Sequence, residues 1–362
     1  MKNMLTRTAL ASSMLLLGVS VASAQTTVSG NLDLVYKAVS SDKAAGRSSR
    51  FFGKESQINI ANKGKLNNGM DYAAGFSLEF DGSENNIDTL ANRSASLAGQ
   101  TNENVYIDLI RGNTTITLGA DHLQNPDKTL SNLVGVMDLD DAVAGVTSTK
   151  TAGVATVFVS HTNSAYQAYN IGVSQTVPGV GKLSVAYAPD RNNGNANSDT
   201  TNVNSTSNNI TNYDKGQSAY ELGFIGDLGV KGLEVNAFYN KSDSATTTEL
   251  SDLKGEMYGV KYNFGQVTVA AQRAKTTSLL SVKDESDSFG IAYAVNQNIS
   301  AGISYGKTDR NTSAIDEKIT QVSVGYNLGP VMAGLSYAKV DNIGLEQGTD
   351  GETIALKLST KF

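Results

Sequence analysis

The stretch Glu352–Phe362, ETIALKLSTKF, decides how the rest of the chain is read. Ile354, Leu356, Leu358, Thr360 and Phe362 share one parity; Ala355, Lys357, Ser359 and Lys361 share the other. Successive side chains of a strand point to opposite faces, so this is a strand with one apolar and one polar face. It ends on an aromatic residue, whereas soluble domains usually trail off in polar, poorly ordered residues. A strand of this kind cannot leave a free edge, and TTVSGNLDLVY (26–36) is the expected partner that closes the sheet.

The same alternation runs through the chain. MDYAAGFSLEF places Met70, Tyr72, Ala74, Phe76, Leu78 and Phe80 opposite Asp71, Ala73, Gly75, Ser77 and Glu79. QVSVGYNL places Val322, Val324, Tyr326 and Leu328 opposite Gln321, Ser323, Gly325 and Asn327. The periodicity predicts sixteen strands: 26–39, 54–61, 70–80, 103–110, 114–120, 166–176, 182–189, 218–225, 233–241, 255–264, 266–275, 287–295, 299–307, 318–328, 331–340 and 351–362. Short and long connections alternate strictly between them. An even strand number with loops sorted by length fits a transmembrane barrel, and nothing requires it of a β-sandwich. The apolar run 152–160 is read as part of the long connection 121–165; as a strand it would make seventeen, and an eighteen-stranded barrel is the other reading.

The expected fold is therefore all-β, a transmembrane antiparallel barrel of sixteen strands. Pro126 falls in a loop, Pro178 and Pro330 in short turns and Pro189 at a strand end, so none interrupts a ladder. Tyrosines and phenylalanines cluster at both ends of the strands, as interfacial girdles do.

At the N-terminus, Lys2 and Arg7 precede the apolar run ALASSMLLLGVSV, and Ala22-Ser23-Ala24 reads as a cleavage site before Gln25. Residues 1–24 are expected to be a signal peptide and 25–362 the barrel domain. Removing Lys2 and Arg7 takes the formal charge from −6 to −8, which disfavours nucleic acid as a partner. Cysteine is absent, so there is neither a disulfide framework nor a thiol site. His122 and His161 are the two histidines and sit in no hydrolase or zinc motif, so no enzyme activity, metal or cofactor is expected.

The chain resembles the Gram-negative general porins. The likeness is carried by TTVSGNLDLVY as first strand, NNGMDYAAGFSLEF in the place of the Asn-Gly turn and third strand, ENVYIDLIRGNTTITLGADH before the third loop, and Phe362 at the end. The third-loop Pro-Glu-Phe-Gly of some members is replaced by HLQNPDKTLSNLVGVMDLDDAVAG, and Ala120 follows Leu118-Gly119 where many members carry arginine. The resemblance implies a homotrimeric outer-membrane channel for small hydrophilic solutes, set among outer-membrane lipid and lipopolysaccharide. It also implies that Phe362 is read by the barrel-assembly machinery and that 121–165 folds inward as a constriction loop.

That segment is not a polar loop: Leu123, Leu130, Leu133, Val134, Val136, Met137, Leu139 and Val143 need burial. The Asn-, Ser- and Thr-rich run 190–217 has little to bury and is expected to be a mobile outer loop. Asp138, Asp140 and Asp141 are the candidate acidic side of the constriction, and Lys37, Arg50, Lys261 and Lys357 the candidate basic wall. Such opposed charges bias a pore by a transverse field, and the acidic excess predicts weak cation preference. A channel specific for a sugar, carboxylate or phosphate is the alternative. Exposed-turn aspartates, a calcium site at the same three residues and lysines remote from the constriction are the plainer readings.

Overall fold

In the computed structural model, residues 24–41, 49–80, 82–83, 100–120, 129–134, 139, 157–159, 170–189, 218–242, 253–277 and 281–362 are described. Sixteen spanning strands are found among them: β1 Gln25–Ser41, β2 Ser49–Lys65, β3 Asp71–Phe80, β4 Gln100–Arg111, β5 Thr114–Ala120, β6 Asn170–Val177, β7 Gly181–Ala188 and β8 Ala219–Gly226 in the first half. The second half contributes β9 Leu233–Ser242, β10 Leu253–Asn263, β11 Val267–Thr277, β12 Lys283–Ala294, β13 Ile299–Arg310, β14 Glu317–Asn327, β15 Val331–Asp341 and β16 Gly351–Lys361. Gly82–Ser83 adds a two-residue rung beside β2.

Each strand pairs antiparallel with its neighbours in sequence, and the opening stretch closes the circuit. β16 runs against β1 from Asn31↔Lys361 to Ser41↔Gly351. Phe362 continues the ladder: its N–H donates to the Gly30 carbonyl at 3.0 Å, and the Gly30 N–H donates to the Phe362 carbonyl at 2.8 Å. The lack of a side chain at Gly30 is needed here, since a Cβ would stand 2.5 Å from the Phe362 ring. The sheet is a closed barrel, not half of a sandwich.

The short turns show why the chain reverses where it does. Asn263, Asn327 and Asn296 each accept a hydrogen bond from the N–H two residues on, at Gly265, Gly329 and Asn298. This side-chain-to-backbone closure favours a tight turn over continued strand. Gly265 and Gly329 have φ near +90°, a conformation open to residues without a Cβ. The register of β3 against β4 slips between Gly75 and Ser77, where an extra residue is absorbed as a bulge near Asn104.

Parity separates two surfaces. Leu118, Val185, Leu222, Ile303, Leu335 and Leu356 point outward and are exposed. Asp33, Ser77, Thr117, Ser184, Asn236, Gln272, Ser288, Thr308, Gln321 and Thr353 point inward. An apolar outside and a polar inside invert a soluble protein; lipid takes the place of the core. Tyr187 pairs with Tyr220, and Phe289 with Tyr305, in a band near the long connections. Phe264, Tyr326 and Phe362 belong to a second band near the short turns. Beyond the first band the outward face carries ion pairs, Arg273 to Asp287 at 2.7 Å and Lys307 to Asp316 at 3.0 Å.

Strand count and topology are as the sequence predicts. Residues 157–159, the described part of the apolar run 152–160, form no strand; the rest of that run lies outside the described residues.

Candidate channel site

The inward residues are positioned by rigid ladders, so their relative placement follows from register. Lys261 on β10 faces Glu234 on β9, with Nζ 2.7 Å from the carboxylate. Lys357 on β16 lies 2.7 Å from Asp33 on β1, and Ser359 donates to the same Asp33 at 2.5 Å. Arg310 holds Asp284 through two hydrogen bonds of 2.6 and 2.9 Å. Three wall cations are therefore each neutralised by a wall carboxylate, which shortens the reach of their fields.

Lys37 faces inward and is buried, as expected of a wall residue. Arg50 is different. β2 begins at Ser49 rather than at 54, so Arg50 is inside the strand and its parity is fixed. It pairs with Ala38 and shares the outward face with Phe52 and Leu34, so it does not line the lumen. Asp138, Asp140 and Asp141 lie outside the described residues, as do His122 and His161.

The described parts of the third connection lie against the inner wall. The Leu130 N–H donates to Gln272 on β11 at 2.8 Å, and Ser131 and Ser288 on β12 share a hydrogen bond of 2.9 Å. Ser304 on β13 donates to the Ser131 carbonyl at 3.3 Å, and the Val159 N–H donates to Ser286 at 2.8 Å. Small wall residues make this approach possible. A Cβ on Gly302 would stand 2.5 Å from Val134, and one on Gly306 would stand 2.5 Å from Phe158. The apolar residues of the segment find the burial they need. Leu139 and Phe158 pack with Val39, Ile319, Ala338, Val340 and Ile343, while Val159 covers Phe238, Met257 and Ala274. Inward-facing Val39, Phe238, Met257 and Ile319 thus serve as sockets for the connection.

One polar group ties these parts together. Glu317 opens β14 facing inward and is 1 % exposed. Its carboxylate accepts the Val157 N–H at 3.0 and 3.2 Å, and the Gly344 N–H from the last long connection at 2.7 Å. Parity alone places Glu317 on the inner face, but nothing in the sequence singles it out as the joint between two connections.

This geometry is a lumen of polar wall bounded by lipid-facing strands, with a folded-in segment on one side. The family model described as Gram-negative porin matches residues 9–345. The chain belongs to the Gram-negative porin family. Solved porins share the fold of this porin at low identity. The anion-selective porin from Comamonas acidovorans is 15 % identical over 94 % of this chain and 100 % of its own, with a TM-score of 0.64. Salmonella typhi OmpF, in complex with daunomycin, is 14 % identical over 94 % and 98 %, with a TM-score of 0.63. A Rh. blastica porin mutant is 13 % identical over 93 % and 100 %, with a TM-score of 0.58. No curated protein matches the sequence of this porin significantly. Family and fold support an outer-membrane channel.

Proposed function

We propose that this porin is a passive, water-filled channel for small hydrophilic solutes and ions, narrowed by the third connection and weakly selective for cations. The observation that carries the reading is the seating of residues 129–134 and 157–159 on the polar inner wall. With Lys261, Lys357 and Arg310 each paired to a carboxylate, these three wall cations supply little net field. The bias then falls to Asp138, Asp140 and Asp141 on the connection, whose carboxylates favour cations. Reversal potentials across a planar bilayer under a salt gradient test this. A cation preference that falls toward neutrality in the triple Asp→Asn variant is expected. A clear anion preference that survives the substitutions would sink the charge assignment.

The assembly reading is that three copies associate in the outer membrane after removal of residues 1–24. The outward ion pairs beyond the aromatic band sit at headgroup level and suit the charged heads of lipopolysaccharide. Phe362 serves as the element read by the barrel-assembly machinery, supported by its exposed, outward ring at the last rung of the closing ladder. Deleting Phe362 should lower the yield of heat-modifiable folded barrel in the outer membrane severalfold. Unchanged yield would remove this role.

A further inference from the structure

The closing seam of the barrel ends unevenly at the short-turn side. β16 runs beside β1 only as far as the rung between Phe362 and Gly30, whereas β1 and β2 stay paired down to Gln25↔Lys63. Residues 25–29 are therefore strand with one open side. Gly30 directs both its N–H and its C=O to Phe362. Direction alternates along a strand, so the N–H and C=O groups of Val28 and Thr26 point to that same side. Among the described residues, no backbone group meets them there.

The open strand is held in shape from its outward face. The Asn62 amide donates to the Thr26 hydroxyl at 2.9 Å, and the Tyr72 hydroxyl donates to Asn62 at 2.6 Å, which ties β1 across β2 to β3. An edge already extended loses little freedom on pairing. Exposed edges of this kind template the addition of another strand.

The neighbouring side chains define what fits. Outward, Val28 and the Phe362 ring are 61 % and 68 % exposed. Inward, Lys361 on β16 and Lys63 on β2 are exposed, and the Gln25 ammonium stands at the open end once residues 1–24 are removed. These three cations outnumber the one carboxylate at the gap, that of Phe362. Lys65 is neutralised by Asp71 at 2.6 Å, and Asp108 lies on β4, three strands away. A second copy pairing edge to edge would bring like charges together. An extended acidic peptide meets no such conflict.

We propose that Thr26–Val28 is a strand-addition site for an extended periplasmic peptide in which acidic and apolar residues alternate. The peptide continues the line of β16, antiparallel to β1. Its residues across from Val28 and Thr26 exchange backbone hydrogen bonds with them and turn apolar side chains outward, toward Val28 and Phe362. The residues between turn carboxylates inward, toward Lys361 and the Gln25 ammonium. This rests on the processing and the outer-membrane placement in the reading above.

Folded porin in detergent, titrated into the peptide EVEVE labelled at its C-terminus, tests the site. Saturable binding at roughly sub-millimolar concentration is expected. The amides of Thr26 and Val28 should become protected from hydrogen exchange, while those of Thr27 and Ser29, already turned to β2, change little. KVKVK reverses the charge and EPEPE lacks the two N–H groups that pair, so each should bind about tenfold more weakly. Val28→Pro removes a donor that faces only the open side, so the barrel keeps its ladder while affinity for EVEVE falls about tenfold. Thr26→Pro serves where that chain does not fold. Absence of binding, equal binding of the three peptides, or unchanged affinity in a folded proline variant overturns the site. Protection of Thr26 and Val28 that grows with porin concentration alone overturns it in favour of a second copy. Intact mass separates the two readings. A first residue other than Gln25 overturns the processing and the edge charge with it, whereas a chain starting at Gln25 that ignores EVEVE overturns the docking edge alone.

Discussion

Glu317→Ala should detach part of the third connection from the barrel wall, seen as a strong rise in open-channel noise and a shifted mean conductance. The carboxylate is buried and accepts backbone N–H groups from Val157 and Gly344, which belong to two different connections. A buried hydrogen bond contributes about 0.5–1.5 kcal/mol, and a buried donor left without its acceptor costs about 1–3 kcal/mol. Alanine removes these bonds and leaves the two donors beside Phe158, Ile319 and Ile343, an apolar cluster that cannot replace the acceptor. The loss, on the order of 3 kcal/mol or more, is comparable to what holds a short segment on a wall. Glu317→Gln keeps one carbonyl oxygen as acceptor and should give an intermediate phenotype. Wild-type noise and conductance in both variants would show that the seating of residues 157–159 does not depend on this residue.

Leu356→Arg should cost roughly 2–4 kcal/mol of barrel stability, because it places a cation on the lipid face near mid-strand. Leu356 points outward, 45 % exposed, between Tyr36 on β1 and Leu335 on β15. The next residue, Lys357, faces the lumen instead and pairs with Asp33. Lys357→Arg is therefore the matched control and should stay close to wild type. The fraction of heat-modifiable barrel recovered from lipid vesicles over a urea series reads both. Equal stability of the two variants would mean that residue 356 does not meet lipid.

The contrast between neighbouring residues also explains what the sequence could reveal. A strand's parity is a local property, so ETIALKLSTKF alone distinguishes Leu356 from Lys357, and the count of sixteen follows from repeating that reading. The turns were legible for the same reason, because Asn327 and Gly329 act within a few residues of each other. Arg50 shows the weakness of the approach. Its side depends on where β2 begins, and strand ends are set by pairing with a distant partner rather than by local pattern.

The candidate site was legible only in outline. Apolar Leu130 and Leu139 announced a connection in need of burial, and both are buried. Which wall receives them could not be read, because Gln272, Ser288 and Ile319 lie more than a hundred residues away. The same distance hides the pairing of Lys357 with Asp33, which exists because the last strand returns to the first. Glu317 resembles any other acidic residue at a strand start until two connections are seen to converge on it.

Conductance steps of the purified protein in a planar bilayer test the central reading most directly. A closed barrel with a polar lumen predicts discrete steps of uniform size that scale almost linearly with the bulk conductivity of potassium chloride. Steps that saturate at low salt would contradict a water-filled pore. No steps from folded protein, or a folded chain that remains in solution without detergent, would contradict the barrel in lipid itself.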